Sequence, residues 1–503
     1  MVFGLFLIAG FLTYDDYGIA WDEPAQMEIG QFNYEYLTGT SDTLKTYHDR
    51  FYGAAYEWPL YAKLHLLSLD QSAQIFQLRH LFTHLFFLLG VGFFFALVWR
   101  LFRNFNVAFL AMLMLYLQPR IFAHSFFNSK DIVFMSLFII SLYTLLLVVE
   151  KQSTKRLLLH ALTSALLIDV RIVGFIMPLL SFGVFLPQLL RVNSHSRELW
   201  KQLMLYSTAT IGMMYLFWPA LWTDPLLIGK SIARMSHFPF RYEVLFMGEL
   251  IPAPQLPWYY LPVWIFISTP PFILLLFFTG LAWLMVEYFR DPEAWWNEPE
   301  KWFLLTLAGF PIDFILLLII LGSTLYDGWR QVYFLYPAML ISAAYAYLRI
   351  SEKLRYKPIG KWVVNGLIGI FVLLTVVKII KLHPYEQVYF NHFVSKKDDN
   401  RRKTFEQDYW GLSFREGLEY ILKQDETPQI KVCFSNAAGP NNILALAPGQ
   451  QKRIVVVDAM DSADYFITNY RYHPQDYDYG KPVYQVIRDK TTLLSVYQLK
   501  KKN

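Results

Sequence analysis

Apolar runs long enough to cross a bilayer recur along the chain, at about 76–100, 105–122, 131–149, 157–168, 172–190, 200–221, 259–288, 302–321, 331–349 and 362–381. A hydrocarbon core asks for about 20 such residues per helix. An eleventh run, 2–13, is short for a span and lacks the basic flank and small-residue cleavage site of a signal peptide. It predicts a truncated start, or a first helix without its cytoplasmic turn. The pattern therefore predicts a mainly α polytopic membrane protein with about eleven transmembrane helices over residues 1–381. Beyond 381 the period changes. Ser413 caps a helix-periodic run that ends near Lys423, and short Val-, Ile- and Tyr-rich segments follow at 430–434, 454–457, 465–467, 483–487 and 493–499. These predict a small α/β domain over 382–503, its last two strands forming a hairpin through Arg488–Thr491.

Lys and Arg fix the sidedness, because cytoplasmic loops collect them. Arg100 and Arg103, then Lys151, Lys155 and Arg156, then Arg191, Arg197 and Lys201, then Arg349 to Lys361 lie in alternate loops. The other loops, 14–75, 118–130, 222–260 and 322–330, are less basic and richer in Asp, Trp, Pro and Tyr. They face outward, and so does the tail. Composition agrees: 55% of residues are hydrophobic and only 17% charged, against about 25% charged in soluble domains. The net charge of +5 is accounted for by insertion, so it gives no reason to expect nucleic acid. One cysteine, Cys433, rules out an intrachain disulfide and a Cys-rich metal cluster, and reads as a buried strand residue.

Insertion does not explain the outward carboxylates. Asp15, Asp16, Asp22 and Glu23 fall within nine residues directly after the first helix, a crowding that is costly unless cations or substrate share it. Asp22 or Glu23 has a second reading, as the cap of a helix that Pro24 starts. The next outward loop offers Pro119-Arg120 and Asn128-Ser129-Lys130-Asp131, where Asp131 also suits the N-terminus of the following helix. Arg79, Arg171 and Arg330 sit near outer helix ends. Arginine forks match phosphate oxygens, and with Lys130 these form the candidate donor-phosphate set. Their structural alternatives are a salt bridge, such as Arg171 with Asp169, or snorkelling to headgroups. Asp313 lies inside an apolar run and is a candidate functional or arginine-pairing acid. Residues 383–391 suit an interfacial anchor or a substrate contact, the anchor being the favoured reading. The eleven histidines show no metal-ligand spacing, and no Walker loop or serine elbow is present. No cofactor or metal is called; a divalent cation at the carboxylates lacks a clear ligand set.

Carboxylates and arginines beside lipid suit transfer from a lipid-linked phosphosugar. Phosphate is a good leaving group that needs cations rather than a general acid, and the acceptor hydroxyl needs one carboxylate base. The order Trp21-Asp22-Glu23, Pro119-Arg120, Asn128-Ser129-Lys130-Asp131 and Arg171-Ile172-Val173-Gly174 resembles the C-type (GT-C) glycosyltransferases of the protein O-mannosyltransferase and aminoarabinose transferase group, mainly over the first seven helices. Tyr326 to Arg330, residues 383–391 and residues 405–413 resemble a bacterial branch with an outward C-terminal domain. The resemblance implies catalysis by Asp22 with Glu23 beside it, Asp131 as the second-loop acid and Asp15 and Asp16 in support. The implied enzyme is inverting and sits in a bacterial inner membrane, with a polyprenyl-phosphate sugar donor and a protein, lipid or glycan acceptor. Ala25 stands where the mannosyltransferases carry histidine, two residues after the acidic pair. Two other classes compete: a transporter or flippase for an amphipathic lipid, with Asp169, Arg171 and Asp313 on its path, and a scaffold that docks through the tail.

Overall fold

The computed structural model describes residues 2–191, 194–236, 240–395 and 400–499. The tail expected over 382–503 therefore includes two stretches, 396–399 and 500–503, outside the described residues. The first half of the chain is α1 (Val2–Thr13), α2 (Glu23–Leu37), α3 (Glu57–Leu66), α4 (Ser72–Phe102), α5 (Phe105–Tyr116), α6 (Pro119–Phe127), α7 (Asp131–Glu150), α8 (Thr154–Val170), α9 (Ile176–Leu189) and α10 (Ser194–Phe217). A short α11 (Ala220–Thr223) and α12 (Leu227–Ser236) lead to a hairpin, β1 (Glu243–Phe246) and β2 (Glu249–Pro252). Then come α13 (Tyr260–Ser268), α14 (Pro271–Arg290), α15 (Pro292–Asn297), α16 (Pro299–Ile320), α17 (Tyr336–Lys353) and α18 (Pro358–Leu382).

Six of the expected spans are single helices, or one continuous helical stretch, long and apolar enough to cross a membrane. They are α4, α7, residues 172–189, α14, α16 and α18, and a seventh is gained if the bent pair α5 and α6 is one span. The remaining expected spans, at α1, α8, α10 and α17, are helices that fall short of that standard of length or apolarity. The bend of 63° between α5 and α6 has a local cause. Pro119 holds Gln118 in an extended conformation (φ −70, ψ 115), and the Gln118 side chain accepts the Ile121 N–H to cap α6. All nine residues of α6 are buried, so the bend turns Arg120 and His124 into the protein. α7 is the central helix, whereas α18 is almost wholly exposed along its length, as a lipid-facing helix would be.

Close packing sets the rest. A Cβ on Gly280 of α14 would stand 1.8 Å from the Ser342 carbonyl oxygen of α17, so only glycine permits that approach. In the tail, α19 (Asn400–Thr404) and α20 (Phe414–Gln424) accompany β3 (Ile430–Phe434), β4 (Ile454–Val456), β5 (Tyr465–Thr468), β6 (Tyr484–Arg488) and β7 (Thr491–Gln498). The sheet order is β4-β3-β5-β7-β6, parallel between β3 and its two neighbours and antiparallel beyond. The hairpin of β6 and β7 turns at Asp489 and Lys490, both with positive φ (49 and 66), the geometry that matches strand twist. Cys433 lies buried in β3. One expectation needs amending. Ser413 stands at the N-cap of α20 but its side chain makes no capping bond; its backbone N–H goes to Asp408 instead. The hairpin of β1 and β2 went unforeseen.

Residues 385–391 are buried, which overturns their reading as an interfacial anchor. The Tyr389 carbonyl accepts from Arg120, and Asn391 donates to the Phe266 and Thr269 carbonyls, so the segment is an internal strut between the helices and the tail. At its start His383 bridges two carboxylates, Asp16 at 2.8 Å and Glu386 at 2.7 Å, with Tyr17 edge-on and donating to Glu386 at 3.1 Å. Burial works against the imidazolium, but the hydrogen bonds and charges of Glu386 and Asp16 prevail and raise His383 to about 9.

Two measurements test this packing. Gly280→Ala should lower stability by about 1–3 kcal/mol, the usual cost of overpacking, whereas Gly183→Ala, with nothing within 4 Å, should not; equal melting temperatures for the two variants would contradict the assigned contact. For His383 the folded value lies above the unfolded value of about 6.5, so its contribution is complete below that pH and lost as pH rises through about 9. The melting-temperature gap between wild type and His383→Gln should therefore shrink from pH 6.5 to 9.5, and a gap independent of pH would refute the clamp.

Candidate functional site

The four clustered carboxylates separate in space. Asp15 is exposed, and Asp16 joins His383. Glu23 turns inward, accepting the Ala20 N–H at 2.7 Å and pairing with His80 at 3.0 Å. Asp22 stands at the N-cap of α2 but spends no side-chain bond on the helix. Its carboxylate is 35% exposed and lies 3.7 Å from the Arg330 guanidinium, itself only 5% exposed. Of the acidic pair, Asp22 is thus the member open to a second molecule.

Arg330 begins a short 3-10 turn ahead of α17 and is the hub of a charge chain. It pairs with Asp131 at 3.0 Å and with Asp327 at 2.9 Å, and its guanidinium lies over the Trp410 ring at 4.6 Å. Asp131, at the first turn of α7, also binds Arg171, while Asp327 also binds Arg471 of the tail at 2.7 Å. Arg171 therefore pairs with Asp131 rather than with Asp169, which accepts the Ala54 N–H at 3.2 Å. That bond holds the loop carrying Tyr52, over whose ring the Lys130 ammonium lies at 3.7 Å. Among the described residues no carboxylate comes within salt-bridge distance of Lys130, and burial pulls its ammonium below the usual value, with Asp22 opposing. Behind the chain, burial and then the charge of Asp327 raise the Glu406 carboxyl to about 8.

A cavity of about 380 Å³ opens beside these groups. Lys130, Asp131, Arg171 and Arg330, with Tyr52 and Tyr326, line one part of it; Ile176 and Leu179 of α9 face Phe314, Leu317 and Leu318 of α16 along the other. Asp22 is not on that wall. It adjoins the wall through Arg330. Lys130, Asp131, Arg171 and Arg330 are thus brought together, with Asp22 adjoining. Arg79 is not among them, for it is buried against Glu57 at 2.8 Å, and Glu57 also accepts from Ser129. Asp313 is exposed on α16 and meets no arginine among the described residues. Sequence reasoning missed Arg471, Tyr52 and Asp327 as individual groups. Asp327-Gly328, both with positive φ (56 and 71), left a turn signal; Arg471 left none.

Residues 67–222 match the family described as dolichyl-phosphate-mannose-protein mannosyltransferase. No curated protein matches the chain. Two solved structures of the Archaeoglobus fulgidus oligosaccharyltransferase are similar in outline. The apo form is 12% identical with a TM-score of 0.46, covering 82% of this chain and 57% of that one. The form tethered to an acceptor peptide containing the NVT sequon is 11% identical with a TM-score of 0.44, covering 82% and 56%. The chain thus spans little more than half the length of those it resembles. Over residues 67–222, less than a third of its length, the chain is thus similar to the dolichyl-phosphate-mannose-protein mannosyltransferases.

Proposed function

We propose that the protein is an inverting glycosyltransferase that moves a sugar from a polyprenyl-phosphate carrier to an acceptor hydroxyl, at the outer face of a bacterial cytoplasmic membrane. The observation that carries this reading is the two-part cavity: cations at one part, an apolar trough between α9 and α16 at the other. A lipid phosphate has those same two parts. Lys130 and Arg171 would hold the phosphate and Arg330 its sugar-side oxygen, while the trough takes the isoprenoid chain. Among the described residues Lys130 on that wall has no carboxylate within salt-bridge distance, whereas Arg171 and Arg330 are paired, so an arriving phosphate meets a cation that is not already neutralised.

Asp22, adjoining Arg330, accepts the proton of the acceptor hydroxyl. The oxygen attacks the anomeric carbon, the bond from that carbon to the phosphate oxygen breaks, and its electron pair leaves with the phosphate. One displacement inverts the anomeric centre. In this reading residues 1–381 form the catalytic membrane domain, and 382–503 form an extracytoplasmic domain on the same outward side. The basic loops supply the orientation argument, since Arg100, Lys151 to Arg156 and Arg349 to Lys361 all lie at the opposite helix ends from Asp22. Donor and acceptor are the only partners this chemistry requires.

Asp22→Asn should lower kcat by about 10²–10⁴-fold, the usual worth of a positioned base, while polyprenyl phosphate still binds. Lys130→Met should raise the donor KM by about 10- to 100-fold, corresponding to the roughly 1.5–3 kcal/mol of a charged hydrogen bond. Assays in proteoliposomes with a polyprenyl-phosphate sugar check both. Undiminished transfer by Asp22→Asn would sink the assignment, as would movement of lipid across sealed vesicles without any covalent product.

A further inference from the structure

We infer that Asn442, in the tail, is a positioning residue that sets the place of Asp22, and that holding this loop is a task of the C-terminal domain; the inference rests on the assignment of Asp22 as base. The stretch before Asp22 is laid against the tail by its backbone, at every second residue. Arg415 of α20 donates to the carbonyl oxygens of Asp15 and Tyr17. Ile19 donates its N–H to Asn442 Oδ1 at 3.0 Å and accepts from Asn442 Nδ2 at 3.0 Å. Trp21 donates to the Trp410 carbonyl at 3.0 Å and accepts from Asn441 Nδ2 at 3.2 Å.

Asn442 is the centre of this arrangement. It is fully buried, and its amide meets both backbone groups of one residue as a neighbouring strand would. Its Nδ2 also faces the Gly411 and Ala438 carbonyl oxygens at 2.9 and 3.0 Å. Three carbonyls around Nδ2 and one N–H at Oδ1 permit a single orientation of the amide, because the flipped group would set oxygen against oxygen. The approach is close enough to exclude a side chain: a Cβ on Gly18 would lie 2.3 Å from the Leu412 carbonyl oxygen and 2.5 Å from Asn442 Oδ1. Asp22 follows Trp21 directly and makes no capping bond of its own. Its carboxylate is therefore aimed by the backbone that Asn442 and its neighbours hold.

The test uses the full chain in proteoliposomes, with Asn442→Ala and Asp22→Asn assayed beside wild type. A base displaced by about 1 Å loses up to about 10²-fold in rate, so Asn442→Ala should lower kcat about 10- to 100-fold and leave the donor KM within about twofold. Amide hydrogen exchange should quicken across residues 17–21 and stay unchanged in α7 and α16. Unchanged kcat in Asn442→Ala alongside an inactive Asp22→Asn overturns the inference, and so does a raised donor KM with unchanged kcat. Full activity in Asp22→Asn instead overturns the base assignment, and the exchange data then still decide whether Asn442 holds the loop. Should Asn442→Ala fail to fold, Arg415→Ala, at a partly exposed side chain, carries the same test with a several-fold loss of kcat expected and no loss overturning the inference.

Discussion

The pairing of Asp131 with Arg171 and Arg330 is the constraint around which the rest is organised. A buried carboxylate is tolerable only when its charge is compensated, and here two guanidinium groups from different parts of the chain converge on one side chain. The arginines need Asp131 as much as it needs them, for without it two cations would face each other inside the protein. The chain of alternating charge then continues through Asp327 to Arg471. It runs from the first turn of the central helix into the C-terminal domain, so the cavity wall, the turn before α17 and the tail are fixed in one geometry. Lys130 stands beside this chain without joining it. That separation leaves one cation available to an anion from outside.

The helices were legible because the apolar pattern is a direct statement about solvent: spans at α4, α7, α14, α16 and α18 follow from runs of leucine, phenylalanine and valine. The strands of the tail were legible from short runs rich in Val, Ile and Tyr, and the turn at Asp489 and Lys490 from its position between two such runs. Burial of polar groups was harder to read. Arg79 and Arg171 look alike in sequence, each near an outer helix end, yet one meets Glu57 inside the protein and the other meets Asp131 beside the cavity. Only tertiary packing separates them. Glu23 and Asp22 are adjacent, and the helical turn that starts at Glu23 sends one inward to His80 and leaves the other half-exposed. Arg471 and Asn442 lie in loops and short turns with no periodicity to mark them, and the partners that tie them to Asp327 and to the Asp22 loop are over one hundred residues away.

The C-terminal domain thereby takes on a definite part. It supplies Arg471 to the charge chain and Asn442 to the loop that carries Asp22, while residues 385–391 tie it to the helices through Arg120. A domain joined to the site at three places acts as part of the scaffold of the site rather than as a separate module.

The central claim is that the cavity between α9 and α16 holds a lipid phosphate next to Asp22. The most direct measurement is a structure of the protein with a polyprenyl phosphate bound. The account predicts the phosphate within hydrogen-bond reach of Lys130 and Arg171, the isoprenoid chain along Leu179 and Leu317, and Asp22 across Arg330 from the phosphate. A phosphate bound elsewhere, with that cavity filled by ordinary acyl chains and Lys130 unengaged, would contradict it.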